Sequence, residues 1–138
     1  MKSIFTLLVC LLLAACAGQP RNTLSTEERV TERAEARWEL LIDKRYARAY
    51  EYLSPASREI QSLEFYIMRT GRSVLNWKEA SVQSVLCEQP DVCLVEVYVE
   101  ALASPPVPRG RPVPTNRTLT ETWVRANGNW YFVPSELQ

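Results

Sequence analysis

With 138 residues, sixteen basic and sixteen acidic side chains and no histidine, the chain is electrically balanced and long enough for one hydrophobic core. That balance offers no basic field to gather nucleic acid. The absence of histidine, with a single thiol pair beyond residue 16, leaves no metal-ligand set, and no cofactor is expected.

Lys2, the apolar run Ile4 to Leu13, and Leu13-Ala14-Ala15-Cys16 have the order of a secretory signal ending in a lipobox. Residues 1–15 are expected to be removed and Cys16 to be acylated. The apolar run falls short of the roughly 20 residues a membrane-spanning helix needs. Two or three acyl chains, each contributing about 0.8 kcal/mol per buried methylene, would hold the chain to a bilayer. Ala17, in place of aspartate, resembles Gram-negative lipoproteins sent onward. The expected location is therefore the inner leaflet of the outer membrane, facing the periplasm. Loss of Lys2 leaves fifteen basic against sixteen acidic side chains. Residues 16–24 are small and polar and read as a tether of at most about 28 Å. Residues 25–138 read as one domain.

Cys87 and Cys93 remain as an even pair in an oxidising compartment. Pro90-Asp91 between them suggests a turn joining two strands. A hairpin there would bring the two Cα atoms within the roughly 4.4–6.8 Å a disulfide requires. The spacing is not Cys-x-x-Cys, so a structural staple is expected rather than a redox centre.

Ser25-Thr-Glu-Glu28 has the form of a capping box and predicts a helix start. Val30, Ala34, Trp38, Leu40 and Leu41 continue at helical spacing. The pattern loosens at Asp43-Lys44-Arg45 and resumes with Tyr46, Ala49, Tyr50 and Leu53, predicting one bent helix or two meeting near residue 44. Ser54-Pro55 should end it. Ser62 predicts a further helix through Leu63, Tyr66 and Ile67, with Gly71 as a left-handed terminus.

Strands are predicted for the remainder. Trp77 to Cys87 is mixed, whereas Val92 to Ala101 alternates, with Val95, Val97, Val99 and Ala101 on one face. Thr118 to Arg125 and Trp130 to Val133 flank Asn127-Gly128, a dipeptide suited to a two-residue type I′ hairpin. That register pairs Trp123 with Phe132 and Arg125 with Trp130. Between the strand pairs, Ser104 to Asn116 holds five prolines in thirteen residues and reads as a stiff exposed loop displaying Arg109 and Arg111.

Helical segments followed by a largely antiparallel sheet indicate an α+β fold. The run Trp38-Glu-Leu-Leu-Ile-Asp-Lys-Arg-Tyr46-Ala-Arg-Ala-Tyr50-Glu-Tyr-Leu-Ser-Pro55 resembles the opening helices of the nuclear-transport-factor-2-like (ketosteroid-isomerase, cystatin-like cone) superfamily. The stretch Glu121-Thr-Trp-Val-Arg-Ala-Asn-Gly-Asn-Trp130-Tyr-Phe-Val-Pro134 resembles its last hairpin. The resemblance implies a bent helical arm packed on a curved, mostly antiparallel sheet, the two forming a cone. Enzymes of that superfamily line the cone with Asp, His or Tyr. Without histidine, no catalytic residue carries over.

Carboxylates helped by tyrosine are the remaining acid–base groups. If Leu119 and Trp123 face the core, Glu121 does too, and burial disfavours the charged form of a carboxylate. Tyr46 or Tyr50 could reach the same cavity from the helices. An ion pair with Arg125 is the structural alternative, and the opposite face, Thr118 to Val124, could equally be the inner one. Aromatic residues such as Trp123 are most simply core, while a cavity lined by Trp123 with Tyr46, Tyr50 and Glu121 would suit an apolar ligand. The Glu96, Tyr98 and Glu100 face, together with Arg109 and Arg111, is the candidate partner surface.

The sequence thus leads to a non-enzymatic outer-membrane lipoprotein with a periplasmic protein-interaction or self-association domain. Its expected partners are the membrane, through the N-terminal lipid, and an envelope protein or a second copy. Binding of a small apolar ligand in the cone is the alternative. An acid–base enzyme using a cavity carboxylate comes third.

Overall fold

A computed structural model describes residues 24–105 and 110–135. The signal, Cys16, the tether up to residue 23 and Arg109 lie outside the described residues. Helix α1 spans Thr26–Ile42 and begins at the expected capping box. The Ser25 hydroxyl accepts from the Glu28 N–H at 3.1 Å, while the Glu28 carboxylate accepts from the Ser25 N–H at 2.7 Å. Its buried stripe is Val30, Ala34, Trp38, Leu40 and Leu41, with one member the apolar periodicity does not contain, Arg37.

At Asp43 the helix stops, and Lys44 turns the chain in a left-handed conformation (φ 60°) before α2, Tyr46–Tyr50. The arm is two helices. Ser54-Pro55 does more than end it. The Ser54 hydroxyl accepts from the Ser57 N–H at 3.1 Å and starts α3, Pro55–Ile60. Proline suits that first turn because its missing N–H would have no helical partner there. Helix α4, Leu63–Gly71, starts at Ser62 as expected. Gly71 is not its left-handed terminus: it lies inside the last turn, Arg72 closes the helix at φ −88°, and the glycine stands against the Tyr46 ring.

Four strands follow, β1 (Leu75–Gln89), β2 (Val92–Ala103), β3 (Val113–Ala126) and β4 (Asn129–Val133). They pair antiparallel in the order β1-β2-β3-β4, an open meander, so the α+β expectation holds. The last hairpin has the expected register, Trp123 opposite Phe132 and Arg125 opposite Trp130. Asn127 and Gly128 both have positive φ, 50° and 78°, as a type I′ turn requires. Strand β3 starts earlier than the proline content suggests, with Pro114 opposite Leu102. Because β4 pairs only with Thr122 to Ala126, the first half of β3 is a sheet edge on that side, where proline is tolerated.

One sheet face packs against α1. Cys93, Val95, Val97 and Val99 from β2 and Trp123 from β3 are almost fully buried there with Val30, Ala34, Trp38 and Leu41. The opposite face carries Thr118, Thr120 and Thr122 of β3 and Glu96, Tyr98 and Glu100 of β2. Beside β4, the Tyr52 carbonyl accepts from the Phe132 N–H at 2.8 Å and the Phe132 carbonyl from the Ser54 N–H at 2.9 Å, so the short last strand is held on both sides.

Cys87 and Cys93 form the expected disulfide. Their Cα atoms are 4.1 Å apart, slightly closer than the usual span of a disulfide. The closeness follows from sheet pairing: the neighbouring partners are Leu86 with Leu94 and Gln89 with Val92, so the two cysteines face each other across the β1–β2 ladder. Closing so short a loop contributes about 2 kcal/mol by chain entropy.

Candidate functional site

Glu121 answers the question of which face of β3 points inward. It is 5% exposed and lies between half-buried Leu119 and fully buried Trp123 on the core-facing row. Its partner is Arg37 of α1, whose Nη1 donates to Oε1 at 2.9 Å. The Trp38 indole donates to the same oxygen at 3.0 Å, and the Trp123 indole donates to Oε2 at 3.0 Å.

Arg125, the partner the sequence suggested, instead meets Asp91 of the β1–β2 turn at 2.7 Å, where both side chains are largely exposed. The reason is geometric. Residues four apart on a strand share a face but stand roughly 13 Å apart along it, whereas α1 crosses the sheet and delivers Arg37 directly onto Glu121.

Every group touching the Glu121 carboxylate is an N–H donor, an arrangement suited to the anion. The Arg37 guanidinium is further sandwiched, its carbon 3.8 Å from the Phe132 ring centroid. Its Nε is buried without a partner among the described residues. This pair lines a cleft of about 440 Å³ between α1, α4 and the sheet. Trp38, Leu41, Trp77, Leu119 and Phe132 give the cleft its apolar wall. Trp38 and Trp77 meet edge to face, ring centroids 5.2 Å apart. Polar groups enter from α4 and the sheet, with Tyr66, Arg69, Ser73 and Arg117 in the lining.

The expected tyrosines are not the ones that reach it. Tyr50 donates to the Gln61 carbonyl at 2.8 Å and packs its ring on Tyr66, tying α2 to the α3–α4 corner. Tyr46 lies against Gly71 and the basic turn of Lys44 and Arg45. Neither lines the cleft; Tyr66 does, and its buried hydroxyl has no partner among the described residues. Buried hydroxyls are almost always paired with protein or water, so this one marks a place where a further group fits. The helical spacing of Leu63, Tyr66 and Thr70 was the available signal, since it faces that side of α4 inward.

On the outer sheet face the three β2 residues of the candidate partner surface are occupied with near neighbours. The Tyr98 hydroxyl donates to Glu100 at 2.9 Å, which raises the phenol above its ordinary range, and Glu96 accepts from Ser84 at 3.1 Å. Arg111 is exposed beyond the start of the β2–β3 connection. No helix among the described residues is long and apolar enough to cross a membrane. No group of His, Cys, Asp or Glu suited to a metal occurs among them either.

No family model matches the chain, and no curated protein matches it in sequence. Solved structures do match in fold. One is the solution structure of a SEC-C motif containing protein from Rhodopseudomonas palustris, with a TM-score of 0.57 and 15% identity. It covers 74% of this chain and 73% of that one. Another is the crystal structure of a SEC-C motif containing protein from Psychrobacter arcticus, with a TM-score of 0.60 and 14% identity. That match covers 85% of this chain, which spans 65% of the length of its neighbour.

At such identities the likeness concerns the fold. It corrects the resemblance to the nuclear-transport-factor-2-like superfamily: the matching structures are SEC-C motif containing proteins instead. A capped helix, a second short helix and an Asn-Gly hairpin are local solutions that many α+β chains share. They could not by themselves select one superfamily.

Proposed function

We propose that this chain is a lipid-anchored envelope protein whose domain works by binding a small ligand with an apolar body in the cleft beside Arg37 and Glu121. The observation that carries the reading is the cleft itself. Its volume of about 440 Å³ falls in the range of small-molecule sites, and its aromatic wall is interrupted by a few polar groups. A domain that served only as a packed structural module would fill that space with side chains.

Binding is favoured over catalysis by the state of Glu121. Both of its oxygens are engaged by Arg37, Trp38 and Trp123, three of about four acceptor sites, so it serves to hold the cleft wall rather than as an open general base. The anchoring rests on the order of Lys2, the apolar run and Leu13-Ala-Ala-Cys16.

One experiment examines both halves. The full chain is expressed in a Gram-negative host, extracted from the membrane fraction and weighed intact by mass spectrometry, first denatured and then native. The denatured mass should correspond to a chain beginning at an acylated Cys16. The native mass should be larger by one non-covalently held small molecule, lost when Trp77→Ala removes part of the cleft wall. An uncleaved, unacylated chain would sink the anchoring, and identical denatured and native masses would sink the ligand.

A further inference from the structure

Arg117 stands on the inward row of β3, two residues before Leu119 and four before Glu121. Its cross-strand partner, Val99, is 1% exposed. The other charged members of that row have partners, Glu121 with its three donors and Arg125 with Asp91. Arg117, by contrast, makes no ion pair or side-chain hydrogen bond with any described residue. Its end is exposed, at the solvent side of the cleft. It also lines a smaller adjoining hollow of about 90 Å³, and Trp77 is the other side chain common to the two.

The charges of the lining do not cancel. Among the described residues Glu121 is its only acid, and Arg37 already neutralises that carboxylate. Arg117 therefore adds a positive charge beside the Trp77 ring with no anion among the described residues of the cleft to meet it. A guanidinium fork beside an apolar wall matches a planar oxyanion carried on an apolar body.

Resting on the reading of the cleft as a ligand site, we infer that the ligand is an amphiphilic oxyanion, a carboxylate or phosphate ester. Its apolar part lies against Trp38 and Trp77 and its oxygens on the Arg117 guanidinium. Arg117 sets the preference for an anion, and the aromatic wall supplies the binding common to charged and neutral ligands.

The test is calorimetric titration of the full chain near neutral pH with three probes that share one apolar body: 2-naphthoate, 2-naphthyl phosphate and neutral 2-naphthol. At least one anion should bind about tenfold or more tightly than 2-naphthol, and the better of the two identifies the oxyanion. Arg117→Ala and Arg117→Gln should abolish that advantage while leaving 2-naphthol binding unchanged. Arg117 is exposed, so both variants should keep the parent melting temperature. If 2-naphthol binds as tightly as both anions, the oxyanion inference falls and the cleft reading stands. If the anions win and the Arg117 variants bind them equally well, the assignment to Arg117 falls. If none of the three probes binds, both readings fall.

Discussion

Replacing Glu121 by glutamine is expected to destabilise the fold by about 3–5 kcal/mol, the cost of leaving a buried charge without its counter-charge. The side chains of Arg37 and Glu121 are 7% and 6% exposed, so water cannot compensate the orphaned guanidinium. Glutamine also turns an N–H group toward donors. It cannot accept from Arg37 and Trp38 at one oxygen and from Trp123 at the other. For a domain of this size such a loss should lower the melting temperature by about 10 °C or more.

The pair also predicts strong coupling. Glu121→Leu and Arg37→Met should each be severe, while the double variant should be less destabilised than the sum of the two. Chemical denaturation of the four proteins measures this. Simple additivity would mean that the ion pair contributes nothing as a pair.

Trp123→Ala is expected to cost about 3–5 kcal/mol, from the largest fully buried side chain in the domain. Two effects add. The indole fills the space between Cys93 on β2 and Phe132 on β4, and its N–H satisfies Glu121 Oε2. Trp123→Phe separates them by keeping much of the ring and removing the donor. It should cost about 1–3 kcal/mol, the range for leaving a buried acceptor unpaired. Thermal melts of both variants check the order. If Phe proved as damaging as Ala, the carboxylate contact would account for the whole effect and the packing argument would fail.

Much of the scaffold was legible because its signals are local. Ser25 with Glu28, Ser62 before Leu63, and Asn127-Gly128 each satisfy backbone groups within a few residues, so the sequence carries them directly. The valines of β2 alternate because one face of a half-buried strand must be apolar. Cys87 and Cys93 were legible for the same reason, as two thiols either side of a turn.

Glu121 was identified as an inward carboxylate, but its partner was not, because Arg37 is eighty-four positions away in the chain. A helix pattern read for apolar residues classifies an arginine as solvent-facing. Only the meeting of α1 with β3 shows that this one is buried. The exchange of Tyr46 and Tyr50 for Tyr66 has a similar cause. The break at Lys44 turns α2 away from the cleft, and α4 takes its place along the wall. Arg117 has no local signature at all. It stands out only once the β2–β3 register sets it opposite Val99 and beside Trp77.

The four indole N–H groups offer the most direct view of the cleft. Trp38 and Trp77 line it, Trp123 donates to Glu121 behind it, and Trp130 packs in the core away from it. In a two-dimensional ¹⁵N–¹H spectrum of the full chain, adding 2-naphthoate should move the Trp77 and Trp38 indole signals in a saturable way and leave Trp130 in place. Indole signals that all stay fixed, or a shift confined to Trp130, would contradict a binding site between α1, α4 and the sheet.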